Sequence, residues 1–298
     1  MARPKRLSSR KSCVRPLSIP EWKRTEGTRM FDMYAMPFMQ RALAAGVLVG
    51  FLCGYYGVFV VQRKMSFLGS GLGHSAFGGV ALGMLLGVNP LAIAIPFTLA
   101  VAMLIILIRE KTRLESDTAI GILFAVSVAL GIVFINLKEG YAVDAFSYLF
   151  GSILAVDMSD IWTAAGLSAL TIATIRPMWG RWAFATFDSE LALSDGKGRP
   201  WENYALQIAI ALTVVVSIKI VGIILIAAFL VIPAAAARMV SSRFSAMTGW
   251  SVGLNILGAA GGLWLAFVMD MPAGATIILL LAVIFIVSIV INRAKAVR

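Results

Sequence analysis

Histidine is almost missing from this 298-residue chain, which has only His74. Cysteine is hardly better represented. Cys13 lies in a polar stretch and Cys53 in an apolar one, a placement that supports neither a disulfide nor a CxxC metal site. Charged residues make up 14% of the sequence, and no polar stretch is long enough to fold as a separate water-soluble domain. An enzyme working at a membrane face needs clustered His, Asp or Glu, which one histidine cannot supply. Carboxylates are also missing from the middle of the apolar runs, since Glu139, Asp144 and Asp270 stand near their ends. The intramembrane acid relay expected of a proton-coupled secondary transporter is therefore absent. The net charge of +11 invites a nucleic-acid reading, but no basic stripe interleaved with aromatics accompanies it, so no nucleic acid is expected as a partner.

What the chain has in excess is apolar sequence: 60% hydrophobic residues and a mean hydropathy of +0.89. A helix crossing the hydrocarbon core needs roughly 20 such residues. Nine runs qualify: 38–61, 66–86, 91–108, 118–135, 161–175, 204–218, 220–237, 247–268 and 275–291. A tenth, 142–156, is short for a span, is interrupted by Asp144 and Gly151, and reads as a half-helix. The expected fold is an all-α integral membrane protein with about eight to nine transmembrane helices. The runs ending at Ile218 and starting at Ile220 are broken only by Lys219 and Gly222, which predicts one tight hairpin. Pro233 should kink or end its helix unless a neighbour satisfies the carbonyl it frees.

Lysine and arginine flank membrane spans asymmetrically, with the excess on the cytoplasmic side. Arg63, Lys64, Arg109, Lys111, Arg113, Arg176, Arg181, Lys197, Arg199, Arg238, Arg243, Arg293, Lys295 and Arg298 fall on one side of the alternating loops, against Lys138 and Lys219 on the other. The rich side is read as cytoplasmic, which places the C-terminus inside and, with nine spans, the N-terminus outside. The first 29 residues conflict with this, because nine are basic and only Glu21 and Glu26 are acidic. Residues 1–35 are expected to be a disordered basic tail. The reading favoured is a start at Met30, Met33 or Met36. A cytoplasmic tail with one span miscounted, or a translocated tail, are the alternatives. Residues 36–298 form the membrane domain.

His74 lies within Gly69-Ser70-Gly71-Leu72-Gly73-His74-Ser75-Ala76-Phe77-Gly78-Gly79. An ionisable ring is costly in lipid and faces a helix interface or a water-filled path. Glycines let helices approach closely and leave little side chain to block such a path. Two readings stand: a histidine hydrogen-bonded inside the bundle, or one lining the route of something small and polar.

Several blocks, in order, carry a resemblance. They are Val61-Gln62-Arg63-Lys64-Met65-Ser66-Phe67-Leu68-Gly69, Gly73-His74-Ser75-Ala76, Gly78-Gly79-Val80-Ala81-Leu82-Gly83, Asp117-Thr118-Ala119-Ile120-Gly121-Ile122 and Asp144-Ala145-Phe146-Ser147-Tyr148-Leu149-Phe150-Gly151. Val221-Gly222-Ile223-Ile224-Leu225, Leu230-Val231-Ile232-Pro233-Ala234-Ala235-Ala236-Ala237-Arg238 and Pro272-Ala273-Gly274-Ala275 complete the set. Together they resemble the ABC-3 permeases, the membrane subunits of bacterial and archaeal ABC importers for zinc, manganese and iron. The resemblance implies a type II-like importer permease fold in the plasma membrane. It also implies a second permease copy, ABC ATPase subunits and an extracytoplasmic metal-binding protein as partners, besides membrane lipid. The cargo would be a divalent metal, with no stably bound cofactor. The alternatives are a same-fold permease for a metal chelate or other small solute, or a secondary transporter. The chain has no GxxxxGK[ST] phosphate loop, so the expectation is a transport subunit and not an enzyme, with ATP hydrolysis left to a partner.

Within the polar interval 176–203, residues 187–196 resemble the family's ATPase-coupling segment, a short helix ending in glycine. Phe187, Asp188, Glu190, Leu191, Ala192 and Gly196 are its candidate docking residues. Phe187 and Leu191, four apart, would share one face, and Gly196 suits a helix stop. Family members carry an apolar residue where this chain has Asp195. Many also carry an aspartate four residues before the membrane histidine, where this chain has Ser70. His74 and Ser70 are the candidate metal-path residues, without the hard anionic ligand.

Overall fold

The computed structural model describes residues 36–112, 114–137, 153–196 and 199–296. The N-terminal tail and most of the predicted half-helix at 142–156 lie outside those residues; of the latter, residues 153–156 are described, with a 3-10 turn at Ile153–Ala155.

A backbone in hydrocarbon has no water to bond, so each apolar run closes its own hydrogen bonds as a helix. The described residues accordingly form nine long helices: α1 (Pro37–Gln62), α2 (Leu68–Leu85), α3 (Pro90–Lys111), α4 (Ser116–Leu137), α5 (Met158–Phe187), α7 (Pro200–Val221), α8 (Ile223–Val240), α9 (Phe244–Met269) and α10 (Ala273–Ala296). A short α6 (Ser189–Ser194) joins α5 to α7. Eight of the nine are long and apolar enough to cross a membrane. The ninth is α2, whose 18 residues include His74 and six glycines. Proline opens α1, α3 and α7, where its missing N–H costs nothing.

Glycine decides how the helices meet. A Cβ at Gly50 or Gly54 would press on the backbone of α9, and one at Gly57 would collide with the Leu230 carbonyl of α8. Along α2, Gly79 and Gly83 face α3, with a Cβ only 2.7 Å from Ala94 and Pro90 Cα respectively. Gly71 and Gly78 face α4, while Gly69 and Gly73 face α8. All six glycines of α2 are buried, so they serve close packing on three sides of that helix.

The turn from α1 into α2 is fixed. Met65 N–H donates to Val60 O at 3.0 Å and Lys64 N–H to Val61 O at 3.2 Å, closing a Schellman pattern with Lys64 at φ 56. The predicted hairpin between α7 and α8 is present, with Gly222 at φ 84. Just past it, Ile223 meets Gly73 in the second turn of α2.

Three expectations need correction. The fifth helix continues well past Ile175 to Phe187, through Pro177 and Arg181, and at 30 residues (about 45 Å) it outruns the hydrocarbon core. Its projecting end is held by rings: Trp182 lies 6.1 Å from Phe59, and Trp179 5.6 Å from Phe244. Phe187 and Leu191 do not share a helical face, because Asp188 is extended (φ −146, ψ 99) and separates α5 from α6. Lys219, counted as a loop residue, lies in the last turn of α7.

Helix α8 continues unbroken through Pro233. The carbonyl that this proline orphans belongs to Phe229, and Asn255 Nδ2 of α9 donates to it at 2.9 Å. Asn255→Ala should therefore lower stability by about 1–3 kcal/mol, read as a lower thermal midpoint of the purified protein in detergent. In a Pro233→Ala background the helix supplies its own N–H and the loss should shrink. An equal loss in both backgrounds would mean that Asn255 does not serve this carbonyl.

Candidate functional site

The second turn of α2 places His74 half-buried, its ring edge-on to Phe124 of α4 with centroids 4.8 Å apart. Its Nδ1 lies 2.9 Å from the carbonyl oxygen of Ser70. A carbonyl can only accept, so Nδ1 is the nitrogen that carries the hydrogen. In the neutral ring that leaves the Nε2 lone pair free, the form in which imidazole binds metals. The helix's own backbone thus sets the tautomer, as a carbonyl behind a metal-ligating histidine does. Ser70 is also half-buried, and its carbonyl, rather than its hydroxyl, is the atom that meets the imidazole. Among the described residues no three His, Cys, Asp or Glu side chains converge. Nothing on α2 resembles a closed structural zinc site, which takes four protein ligands.

Reading the sequence missed two buried carboxylates. Asp160, 7% exposed, lies in the first turn of α5, and Lys219 Nζ sits 2.5 Å from its Oδ1. Asp160 also accepts from the backbone N–H of Asp157, completing a capping box. Glu202, fully buried in the first turn of α7, pairs with Arg181 of α5. Each stands one or two residues before an apolar run, where it reads as loop, and each partner is distant in sequence. Lys219 also borders an apolar pocket between Phe77, Leu91, Val215 and Ile223, and His74 does not line it.

At the opposite end from the Asp160–Lys219 pair, the ends of α1, α3 and α5 gather with the starts of α7 and α9. Arg63 reaches Thr186 and Asn203, and Phe187 lies edge-on to Phe244 at 5.3 Å. Here the 187–196 segment is a short helix stopped by Gly196 at φ 69. Asp188 caps it, accepting from Leu191 N–H at 2.9 Å. Ala192 is buried, whereas Phe187, Leu191 and Leu193 are each more than half exposed. Glu190 and Asp195 are exposed beside them. The segment is anchored on one side and offers apolar surface on the other.

Comparison with known proteins gives one family and close relatives. The model of the ABC 3 transport family matches residues 35–292. The manganese transport system membrane protein MntC of Halalkalibacterium halodurans is 30% identical over 259 residues, 87% of this chain and 89% of that protein. The high-affinity zinc uptake system membrane protein ZnuB of Haemophilus influenzae is 34% identical over 249 residues, 83% of this chain and 95% of that protein. Among solved structures, PsaBC from Streptococcus pneumoniae in complex with Fab is similar at a TM-score of 0.76 and 32% identity, over 88% of this chain and 94% of that chain.

Because His74 is the only histidine, its ring can be studied without assignment. Protein labelled with 15N-histidine and purified without a histidine tag should show a protonated Nδ1 and an unprotonated Nε2 in its neutral form. The reverse tautomer would overturn the hydrogen bond to Ser70 and the free Nε2.

Proposed function

The chain belongs to the ABC 3 transport family, and on that footing we propose that it is the permease subunit of an ATP-binding cassette importer for a divalent first-row metal ion. Its relatives are membrane proteins of manganese and zinc transport systems. Manganese and zinc are the leading cargo candidates, with iron in the same chemical class. The observation that carries the reading is the free Nε2 of the single histidine on a half-buried face of α2. That nitrogen offers a passing ion one ligand, with water and backbone oxygens for the rest. A route needs no tight site, because an ion has to leave as readily as it enters.

The remaining assignments follow from charge and exposure. The end that gathers Arg63, Lys64, Arg109, Arg181 and Arg243 is cytoplasmic, by the bias of basic residues toward that side. Helix α10 ends there too, beside α8, where Asn292 reaches Met239. The C-terminus is then inside. The exposed Phe187, Leu191 and Leu193 dock on an ATPase subunit that supplies the hydrolysis. An extracytoplasmic binding protein delivers the ion at the face holding Lys219 and Asp160, and a second permease copy completes the path.

The test is uptake of radioactive manganese or zinc by a strain lacking its own importers, with the permease expressed beside its ATPase and binding protein. Wild type should accumulate metal, and His74→Ala should lower the rate about tenfold or more at equal membrane levels of protein. Uptake by His74→Ala at the wild-type rate would remove the histidine from the path. A cysteine at Leu191 should cross-link to the ATPase subunit. Its labelling by a membrane-impermeant reagent added outside intact cells would overturn the orientation.

A further inference from the structure

Glu202, Asn203 and Tyr204 are consecutive, and each is held by a different helix. Glu202 pairs with Arg181 of α5, and its carbonyl accepts from the Trp182 indole N–H at 2.9 Å. Asn203 Oδ1 accepts from Arg63 Nη1 at 3.1 Å, at the C-terminal end of α1. The Tyr204 hydroxyl donates to Glu110 Oε2 at 2.7 Å, near the C-terminal end of α3. Successive helical residues point about 100° apart, which lets three neighbours in the first turn of α7 reach three different partners.

The same guanidinium closes a second link. Arg63 Nε donates to Thr186 Oγ1 at 2.9 Å. One side chain therefore bridges residue 186, just before the 187–196 segment, and residue 203, in the first turn of the helix that follows it. Burial and the nearby Arg109 push the Arg63 guanidinium down to about 10, so it stays charged at neutral pH in a site where water offers it little. A desolvated cation with so few acceptors depends on each of them.

Beyond Arg63 the connection runs to the histidine. The Schellman turn at Lys64 leads directly into α2, and the fully buried Met65 anchors it, its Sδ accepting from Arg109 Nη1 of α3 at 3.6 Å. Helix α3 in turn lies against α2 at Gly79 and Gly83. A displacement of α6 reaches the bundle through its two roots, and both roots are tied to Arg63.

We propose that the Glu202-Asn203-Tyr204 run, gripped by Arg181, Arg63 and Glu110, is the transmission point that converts movement of the 187–196 segment into movement of α2 and His74. Asn203 and Arg63 are positioning residues, for neither touches the cargo. The proposal rests on the importer reading.

The experiment uses the complete complex of permease and ATPase in proteoliposomes with the binding protein, and compares wild type, Asn203→Leu and Asn203→Asp. Leucine keeps the branched shape and removes the acceptor, whereas aspartate keeps an acceptor oxygen. A Cys13→Ser background with cysteine at Phe67, on the His74 face of α2, reports movement as the change in thiol-labelling rate on adding ATP. Asn203→Leu should keep ATPase activity per assembled complex within about twofold while losing about tenfold in both manganese or zinc uptake and the ATP-dependent labelling change. Asn203→Asp should retain more than half of both. Arg63→Gln, judged the same way, stands in if Asn203→Leu fails to assemble.

ATPase activity and uptake falling together, both staying at wild-type levels, or Asn203→Asp failing as badly as Asn203→Leu would each overturn the proposal. A wild-type complex that responds to ATP in labelling but moves no metal would sink the cargo and leave the transmission point standing. A wild type with no ATP response at all would remove the importer reading and the proposal with it.

Discussion

The structure depends on how closely the backbones of its helices can approach one another. Helix α2 is among the shortest of the long helices and carries six glycines, and it sits between α3, α4 and α8 because glycines on three sides let those helices close on it. In lipid there is little hydrophobic drive between helices, so contact at backbone distance is what holds them together. The same contact holds His74 half-buried beside Phe124 of α4. A histidine on an outward helix would carry the full cost of an ionisable group in hydrocarbon, and the glycines make its position affordable. The histidine and the glycines are thus one feature, and the glycines here are packing surfaces in the first place.

Several polar groups inside the bundle each answer a particular backbone group or charge. Asn255 answers the carbonyl freed by Pro233, and Ser251 Oγ donates to Gly54 O at 2.8 Å where α1 and α9 touch. Tyr56 and Thr171 share a hydrogen bond between α1 and α5. Charges are restricted further, to the helix ends. Asp160 pairs with Lys219 at one end of the bundle and Glu202 with Arg181 at the other. An unpaired buried charge costs several kcal/mol, so both carboxylates survive burial only beside their cations. These pairs tie α5 to α7 at both ends of α7, so that α7 is a strut between the two faces.

Much of this was legible in sequence, and what was not has a physical reason. All nine long helices were marked by their apolar runs, as were the Gly222 hairpin and the stop at Gly196. The end of α5 was lost because an apolar window stops at Ile175, whereas residues 176–187 are held by Trp179, Trp182 and Phe187 packing on rings of α1 and α9. Those rings are more than fifty residues away in the chain and leave no local signature. Pro233 announced a problem, but its solution at Asn255 lies on another helix. His74 was conspicuous by its uniqueness. Its tautomer required a distance, that from Nδ1 to the carbonyl of Ser70 one turn earlier.

That distinction bears on the chemistry of the site. With an aspartate at position 70, α2 would present a carboxylate and an imidazole on successive turns, a pair suited to gripping a dication. With serine it presents one ring nitrogen, Nε2, whose partner Nδ1 is committed to the backbone carbonyl of Ser70. The two buried carboxylates, Asp160 and Glu202, are each matched by a cation and have little charge to lend. A dication passing His74 would therefore keep most of its water and be held by a single exchangeable ligand. Weak holding is what passage requires, because a site that binds tightly fills and stays filled. For an importer built this way, discrimination among metals would rest on the protein that delivers the ion, and α2 would provide a route rather than a store.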